Sequence, residues 1–568
     1  MTSLIIKNGY VYDPINGISG EKMDIYVKNG KIVEEFSEKD ADIIIDASNM
    51  IVMPGGVDIH SHIAGPKVNA GRLLRPEDHR KDPVPRGVTP VSGVGYSIPS
   101  TFIEGYRYAI MGWTTVMEPA TPPLKTRHTH EELNDIPIID KGCFPLMDSN
   151  WVVLEYIANR EFEKLKIFVA WLLSVVKGFA VKIVNPGGME SWGWGQNVKS
   201  LDDPVPYFEV TPREIVRGLA RVNEELRLPH TIHLHTNNLG IPGNYETTIE
   251  TMEAVKDITP AEGRKRVIHI THVQFSAYAG DSWRNFASGA ADIADYVNKN
   301  EHVSIDIGQV IFTDTTTMTA DGPFEYTLHK LTRFKWINSD VELETGAGIV
   351  PYIYRPKIAV NAVQWCIGLE LALLIKDPWR VFLTTDHPNG GPFVYYPQII
   401  SWLMSRKARE EVLERAHSAA KKRTTLPDID REYTFEEIAI FTRAGQARVL
   451  GLEKKGHLGI GADADIAIYD IDPKKIDPSK DYKAVIKAFS AAKYTIKDGE
   501  IVVKDGKVVK DIRGKTIWVD VQIPEDVLQQ IYEEVKEKFM FYYTVNLNNY
   551  PIQPTYLHKE EKITLPLY

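Results

Sequence analysis

Two histidines separated by one residue, His60 and His62, end an apolar segment that reads Pro54-Gly-Gly-Val-Asp-Ile-His-Ser-His. Side chains two positions apart on a β-strand project from the same face, so both imidazoles can aim at one point. Neutral imidazoles are common ligands of divalent metals. The spacing predicts a metal site at the end of a buried strand, and it requires a fold that brings further ligands there.

Composition and charge exclude several other classes of protein. A chain of 568 residues with 43% hydrophobic content can bury a large core in more than one unit. Its net charge of -10 comes without a polybasic stretch, so we do not expect a nucleic-acid partner. Two cysteines, Cys143 and Cys366, cannot form a disulfide framework or hold an iron–sulfur cluster. We therefore expect no redox cofactor in this chain.

The sequence shows neither an export signal nor a membrane span. The first residues lack a charged region followed by an apolar run, so a cytoplasmic location is expected. The most apolar stretch, residues 167–184, is interrupted at Lys177-Gly178 and contains Lys182. These charges favour a buried helix followed by a buried strand over a membrane helix.

Strand patterns at both ends of the chain predict one composite domain. Short alternating segments separated by Asn-Gly and similar turns occupy residues 1–53, and Asp-Gly hairpin signals recur in residues 456–520. We predict that these two regions form a small β-sandwich together.

The middle of the chain has the pattern of an α/β fold. Residues 54–455 alternate apolar strands with amphipathic helices, which predicts a (β/α)8 TIM-like barrel with long loop insertions. Residues 521–568 are predicted to form a C-terminal helix and an extended arm.

A lysine inside an apolar strand is the second unusual feature. Lys182 lies in Phe179-Ala-Val-Lys-Ile-Val, a segment typical of a strand covered on both faces. A buried ammonium must be paired, lose its charge through a lowered pKa, or be chemically converted. Carboxylation by CO2 is one such conversion, and it would make Lys182 an anionic bridge between two cations.

Two further strands end in histidines. In Thr231-Ile-His-Leu-His-Thr-Asn-Asn-Leu-Gly, His235 is the predicted ligand because it lies nearest the loop, and His233 is the alternate. Asn237 and Asn238 follow as groups that would face the substrate or support the ligands. In Val267-Ile-His-Ile-Thr-His-Val, His272 is preferred over the alternate His269 for the same reason.

An aspartate completes the predicted ligand set. Asp386 follows the apolar segment Val381-Phe-Leu-Thr-Thr, where a carboxylate can bind metal and move protons, although capping the next helix is its common role. With about 30 residues per βα unit, the ligand-bearing segments fit barrel strands 1, 4, 5, 6 and 8. All would then meet at one mouth of the barrel.

This pattern resembles the amidohydrolase superfamily, with a histidine pair on strand 1, a lysine on strand 4, histidines on strands 5 and 6, and an aspartate on strand 8. The segment Gly461-Ala-Asp-Ala-Asp-Ile-Ala resembles the returning β-sandwich of that superfamily. Within it, Lys182-Ile-Val-Asn-Pro-Gly-Gly and Thr385-Asp-His-Pro-Asn-Gly-Gly-Pro-Phe look like the A subunits of formylmethanofuran dehydrogenases.

The resemblance implies a function and a set of partners. In that family, a tungsten- or molybdopterin-containing subunit with iron–sulfur partners reduces CO2 to formate in methanogenesis. The A subunit condenses formate with the amine of methanofuran and also catalyses the reverse hydrolysis.

The resemblance also implies roles for individual residues. Two zinc ions would be held by His60, His62, carboxylated Lys182, His235 and His272, with Asp386 on the first metal and shuttling protons as the catalytic residue. Two tryptophans and a histidine are expected to touch substrate: Trp192, Trp194 and His387. A tryptophan lid packed on its own barrel and a solvated His387 stay open as alternatives.

Two other functions remain open from the sequence. A stand-alone cyclic amidase of the hydantoinase or dihydropyrimidinase type would use the same ligands on a ring imide. A non-catalytic scaffold on an amidohydrolase barrel is the second alternative, and the complete ligand set disfavours it.

Overall fold

A computed structural model describes residues 3–82, 93–339, 347–543 and 546–568. The strands in chain order are β1 (Ser3–Asp13), β2 (Ile18–Lys28), β3 (Lys31–Val33), β4 (Ile43–Asp46), β5 (Ile51–Pro54), β6 (Gly56–Asp58), β7 (Trp113–Thr121), β8 (Asp140–Pro145), β9 (Lys182–Val184), β10 (Ile232–His235), β11 (Ile268–Ile270), β12 (Tyr278–Ala279), β13 (Ala287–Ser288), β14 (Val303–Asp306), β15 (Asp314–Thr319), β16 (Ile337–Ser339), β17 (Ala347–Ile353), β18 (Val381–Phe382), β19 (Ile466–Tyr469), β20 (Tyr494–Lys497), β21 (Glu500–Lys504), β22 (Lys507–Val508), β23 (Thr516–Gln522) and β24 (Glu560–Pro566).

Helices separate most of the strands. They are α1 (Pro66–Leu74), α2 (Thr101–Ile110), α3 (Thr126–Asp135), α4 (Trp151–Ala158), α5 (Phe162–Val175), α6 (Gly188–Gly193), α7 (Pro212–Glu225), α8 (Asn244–Glu253), α9 (Ala290–Lys299), α10 (Gly322–Thr332), α11 (Ala359–Leu374), α12 (Tyr396–Met404), α13 (Arg406–Arg415), α14 (Ala419–Lys422), α15 (Phe435–Ala439), α16 (Gly445–Leu450), α17 (Tyr482–Ser490) and α18 (Glu525–Tyr542). None of the helices within the described ranges has the length and apolarity to cross a membrane.

Eight parallel strands close into a barrel. One sheet runs β6-β7-β8 and another runs β9-β10-β11-β14-β18. An isolated parallel β-bridge between Leu146 and Lys182 joins β8 to β9. A second β-bridge, between Ser61 and His387, joins the segments that follow β6 and β18. The strands are short and buried on both faces, as in other parallel sheets covered by helices. The predicted α/β barrel is confirmed.

Both ends of the chain contribute to one nine-stranded sheet. Its order is β22-β21-β20-β19-β5-β1-β2-β3, with β4 paired to β1. The sheet curls so that Ile32 N–H donates to Ala462 O at 2.9 Å and Ala464 N–H donates to Gly30 O at 2.9 Å. Leu4, Val27 and Ile466 share its apolar core. The two ends therefore fold as one unit, in line with the predicted sandwich.

A buried network of opposite charges joins this sheet to the barrel. Asp140, the first residue of β8, accepts a hydrogen bond from Lys455 Nζ at 2.6 Å, and it pairs with Lys497 Nζ at 3.1 Å. Asp465 contacts the same two ammonium groups at 2.9 and 3.1 Å. Burial opposes the charge on Lys497, but Asp140 and Asp465 outweigh it and raise the pKa of the lysine. The network thus keeps the buried Lys497 in its charged form.

The C-terminal region adds strands to the barrel. β23, which the sequence assigns mostly to the composite domain, pairs in parallel with β24 and, through Thr516, with Lys141 of β8. Its Val519 N–H donates to Gly178 O at 2.9 Å, so it enters the space between β8 and β9. The predicted arm ends as strand β24 because the open edge of β23 is available for pairing.

A long insertion lies between barrel strands β14 and β18. It contains the antiparallel sheet β15-β17-β16 and helix α10. Asn389, which follows β18, accepts a hydrogen bond from Met318 N–H at 2.5 Å, and Thr315 Oγ1 donates to Pro388 O. The insertion therefore rests on the loop that carries Asp386.

The charge network generates a stability prediction. Replacing Asp140 by asparagine leaves two buried ammonium groups with less compensation, so we expect the free energy of unfolding to fall by about 3 kcal/mol. Chemical denaturation measures the change. The matched control, Asp295→Asn, alters an exposed i,i+4 pair with Lys299, and its effect is expected within about 0.5 kcal/mol. Equal losses in both variants would contradict the role given to the network.

Candidate metal centre

The predicted ligands lie on or just after five strands of the barrel. His60 and His62 follow β6, Lys182 opens β9, and His235 ends β10. His272 follows β11 by two residues, and Asp386 follows β18. These are strands 1, 4, 5, 6 and 8 of the barrel, and all six residues are at most 4% exposed.

Three of the groups converge on a single point. His60 Nε2 lies 2.9 Å from Asp386 Oδ1, and His62 Nε2 lies 3.2 Å from the same oxygen. Although they are buried, neither His60 Nε2 nor Asp386 Oδ1 makes a hydrogen bond among the described residues. Ligand atoms around a tetrahedral zinc ion lie about 3.3 Å apart, given bonds of about 2.0–2.1 Å. The unsatisfied atoms and their spacing fit a metal ion.

The alternate ligand His233 supports this group from within the barrel. His233 Nε2 lies 2.8 Å from His60 Nδ1, and His233 Nδ1 lies 3.1 Å from His230 Nε2. Thr271 Oγ1 also contacts His60 Nδ1. Since Nδ1 of His60 is engaged, Nε2 is the nitrogen left to face Asp386 and a metal.

A carboxylate that the sequence did not single out orients His62. Glu118 Oε1, on β7, lies 3.1 Å from His62 Nδ1 and 3.0 Å from Lys67 Nζ. Burial opposes its charge, but Lys67 and His62 outweigh burial and lower the pKa of Glu118 to about 2. A carboxylate bonded to the outer nitrogen of a histidine fixes the ring for metal binding. Glu118 lies within an apolar strand, as Lys182 does, so the same sequence pattern could have identified it.

The second group contains Lys182, His235 and His272. The rings of His235 and His272 lie 4.7 Å apart, and the ring of His272 lies 5.2 Å from that of His60. His272 Nδ1 is buried without a hydrogen-bond partner among the described residues. His235 Nε2 lies 3.1 Å from Asp321 Oδ2, which leaves Nδ1 of this ring for a metal.

Lys182 carries no ion pair or side-chain hydrogen bond in the part of the chain that the structure describes. Burial lowers the pKa of its amine to about 7, although Asp386 and Asp306 oppose the shift. An amine that is partly neutral near pH 7 can react with CO2, whereas an ammonium cannot. The sequence left three possibilities for Lys182: an ion pair, a lowered pKa or a chemical conversion. Among the described residues, the structure shows no ion pair.

Three of the candidate ligands, His60, His235 and His272, are held in the neutral form that metals require. Burial lowers the pKa of His60, His235 and His272 well below the usual range, and the charge of Lys182 adds to the shift of each. Neutral imidazoles bind metals without first releasing a proton.

Asp306 and the alternate ligand His269 form a support below the second group. His269 Nε2 lies 3.0 Å from Asp306 Oδ2, and its Nδ1 lies 2.9 Å from Ser304 Oγ. Asp306 Oδ1 accepts the backbone N–H of His272 at 2.8 Å. The bond helps to hold His272 at φ 38°, a left-handed conformation that is uncommon outside glycine and frequent at functional sites.

The two predicted asparagines form hydrogen bonds to neighbouring loops. Asn237 Nδ2 donates to Asn185 Oδ1 and Pro186 O, both at 2.8 Å, and Asn238 Nδ2 donates to Lys199 O at 3.0 Å. Both amides therefore brace loops.

The aromatic candidates differ in their surroundings and exposure. Trp192 packs on Tyr326 of α10 with ring centroids 5.5 Å apart, and Trp194 is 54% exposed. His387 is buried against Phe393, and its Nε2 has no hydrogen-bond partner within the described ranges. His387 is the one of these three that remains buried next to Asp386.

Comparison with known proteins places the chain in a family. The sequence profile described as the Amidohydrolase family matches residues 44–503. The chain belongs to the amidohydrolase family. This confirms the membership predicted from the five ligand-bearing segments.

Two relatives match over nearly the whole length. The chain is 58% identical to protein FwdA of Methanocaldococcus jannaschii over 558 residues, covering 97% of each sequence. It is 38% identical over 541 residues to the A subunit of the formyltransferase/hydrolase complex Fhc of Methylorubrum extorquens, covering 94% of each. These matches confirm the second predicted resemblance.

A crystal structure shows the same fold throughout. It is the formyltransferase/hydrolase complex FhcABCD of Methylorubrum extorquens with methylofuran. The TM-score is 0.89 at 35% identity, and the alignment covers 99% of this chain and 100% of the matched chain.

Glu118 provides a test of the metal centre. Replacing it by glutamine removes the charge that orients His62, and we expect metal affinity to fall about 10–100-fold. Competition with a chelator followed by elemental analysis measures the change. Glu131→Gln, on the exposed face of α3, is the control and should keep the affinity of the parent protein. Unchanged affinity in Glu118→Gln would show that the charge of Glu118 is not needed to orient His62 for metal binding.

Proposed function

We propose that this chain is the A subunit of a formylmethanofuran dehydrogenase, which condenses formate with the amine of methanofuran and catalyses the reverse hydrolysis. The observation that carries the proposal is the complete donor set at the barrel mouth of a chain 58% identical to FwdA. The match to the A subunit of Fhc, from a complex whose structure contains methylofuran, supports the same substrate class.

Two zinc ions are the proposed cofactors. His60, His62 and Asp386 would hold the first, His235 and His272 the second, and carboxylated Lys182 would bridge them. The unpartnered donor atoms and the lowered pKa of Lys182 support this assignment. When bound, the metals would supply Lewis acidity that polarises a carbonyl oxygen and lowers the pKa of water.

Asp386 is the proposed proton carrier. Its Oδ1 lies within 3.2 Å of both histidines of the first group, and burial raises the pKa of its carboxyl group. In condensation, the C–N bond forms as a C–O bond of formate breaks. The substrate enters as an ammonium group, which gives up two protons and keeps one on the amide nitrogen. Asp386 passes the two protons to the departing formate oxygen, which leaves as water. Hydrolysis follows the same steps in reverse.

The proposal requires redox partners. Cys143 and Cys366 are both buried free thiols, so the chain itself offers no thiolate set for an iron–sulfur cluster. Reduction of CO2 would take place in tungsten- or molybdopterin-containing and iron–sulfur subunits of the same assembly, which would deliver formate to this site.

Substrate preference separates this function from the cyclic amidase. We expect the zinc-loaded chain to hydrolyse N-formylmethanofuran and to leave dihydrouracil unchanged, because the proposed substrate is an acyclic formamide. Formate release and ring opening are measured in parallel assays. Turnover of dihydrouracil without formamide hydrolysis would favour the cyclic amidase, and inactivity on both would favour the scaffold.

Asp386 offers a test of the proton-transfer step. Asp386→Asn keeps the side-chain size but cannot carry a proton, so we expect kcat to fall about 10²–10⁴-fold. Zinc content and the thermal midpoint are measured on the same sample. The exposed Asp295→Asn variant should retain full activity. A modest loss in Asp386→Asn would assign the proton transfer to another group.

Lys182 tests the proposed bridge. Lys182→Met should reduce zinc from two ions to one or fewer per chain, because the carboxylated side chain would be lost. In the parent protein, ¹³C-labelled CO2 should give a carbamate signal in the NMR spectrum. Two zinc ions in the variant, or no carbamate signal in the fully loaded parent, would contradict the bridge.

A further inference from the structure

The seam of the barrel is the line along which its first strand, β6, meets its last strand, β18. Each of these strands is the edge of a five-stranded sheet, and within the described ranges no ladder joins one to the other. At the mouth, the contacts of Ser61 and His62 with His387 close the seam. Earlier in both segments, the buried N–H and C=O groups need other partners, because unpaired buried backbone groups are unfavourable.

The side chain of Gln446 spans the seam at this earlier level. Gln446 is completely buried, and its Oε1 accepts the backbone N–H of Ile59 at 2.8 Å. Its Nε2 donates to Leu383 O and to Phe441 O, both at 3.0 Å. A glutamine amide has one carbonyl oxygen and two N–H donors, so these bonds use its oxygen and both of its hydrogens. One side chain therefore connects the two edges that no backbone ladder joins.

The local helix geometry brings Gln446 to the seam. A π-helical turn, Ile440–Ala444, lies between α15 and α16, and turns of this kind are frequent at functional sites. Gly445 follows it, and a Cβ added there would lie 2.6 Å from the ring of Phe382 and 2.8 Å from Ile440 O. Because glycine has no side chain, the start of α16 can lie directly against β18. The next residue, Gln446, then reaches the gap between the strands.

Both segments that Gln446 joins lead to ligands of the first group. Ile59 immediately precedes His60, and Leu383 precedes Asp386 by three residues. A slip of β6 along β18, or a wider seam, would change the 2.9 Å separation between His60 Nε2 and Asp386 Oδ1. Since metal ligands must be held to within about 0.5 Å of the productive geometry, the bonds that fix this separation govern metal binding.

We propose that Gln446 is a positioning residue that sets the distance between His60 and Asp386 by fixing the first barrel strand against the last. The role is exerted through the backbone of Ile59 and Leu383. This inference rests on the metal site of the proposed function, and it deepens that proposal by assigning a residue outside the ligand set to the geometry of the first metal.

Co²⁺ is the probe, because its visible absorption reports the geometry of its ligands. Gln446→Met keeps the length of the side chain and removes all three hydrogen bonds. In the full chain loaded with Co²⁺, we expect the absorption bands of this variant to change and its Co²⁺ affinity to fall about tenfold. Visible spectroscopy and competition with a chelator measure the two effects. Bands and affinity equal to those of the parent would overturn the proposal.

Asn298→Leu is the matched control. Asn298 Oδ1 accepts Lys376 N–H at 2.9 Å and its Nδ2 donates to Leu374 O at 3.0 Å, so this amide also joins two backbone segments, α9 and the end of α11. We expect the thermal midpoint to fall in both variants and the Co²⁺ spectrum to change only in Gln446→Met. The same spectral change in both would assign the effect to lower stability and would contradict a positioning role.

A second variant decides the question if Gln446→Met does not fold. Gln446→Asn keeps a buried amide but is one methylene shorter, so it cannot bond to Ile59 and Leu383 together. We expect it to bind Co²⁺ more weakly than the parent and to show altered bands. Parent-like binding in Gln446→Asn would show that the span across the seam is not needed, and the proposal would be wrong.

Hydrogen exchange in the metal-free chain helps to separate this inference from the proposed function. The amides of residues 59–62 should exchange faster in Gln446→Met than in the parent, and at the parent rate in Asn298→Leu. If the parent does not hydrolyse formamides but exchange and the Co²⁺ spectrum depend on Gln446, the proposed function fails and the positioning role stands. If formamides are hydrolysed while Gln446→Met keeps the spectrum, affinity and exchange of the parent, the positioning role is overturned and the function stands.

Discussion

Closure of the barrel between its first and last strands is the constraint on which the candidate site depends. His62 N–H donates to His387 O at 2.7 Å, and Ser61 is bridged to His387. This backbone contact brings residues more than 300 positions apart in sequence to within hydrogen-bonding distance. It places Asp386 between the two histidines that follow β6, so the first ligand group is a direct consequence of how the sheet closes.

The ligands are held by an outer set of buried polar groups. Glu118 contacts His62, His233 contacts His60, and Asp321 contacts His235. Each bond engages one ring nitrogen and leaves the other for a metal, and burial lowers the pKa of His60 and His235. An isolated buried carboxylate would be strongly unfavourable, so Glu118 and Asp321 persist only because each is paired with a histidine of the candidate site.

The insertion between β14 and β18 adds contacts to the candidate site that the eight barrel strands do not supply. It supplies Asp321, which caps helix α10 and contacts His235. It also bonds to Pro388 and Asn389, in the loop that carries Asp386. The insertion therefore supports both groups of candidate ligands.

The sequence alone determined the parts that depend on local pattern. Strand periodicity predicted the α/β barrel and the composite sheet, and polar residues at the ends of apolar strands identified the six candidate ligands, whose metal binding stays a prediction. Glu118 and Asp306 carried the same signal but were missed. Only the tertiary structure decided the contact of Asp321 with His235 and the pairing of β23 with the barrel. These depend on contacts between distant segments, and side-chain spacing along one strand or helix contains no information about such contacts.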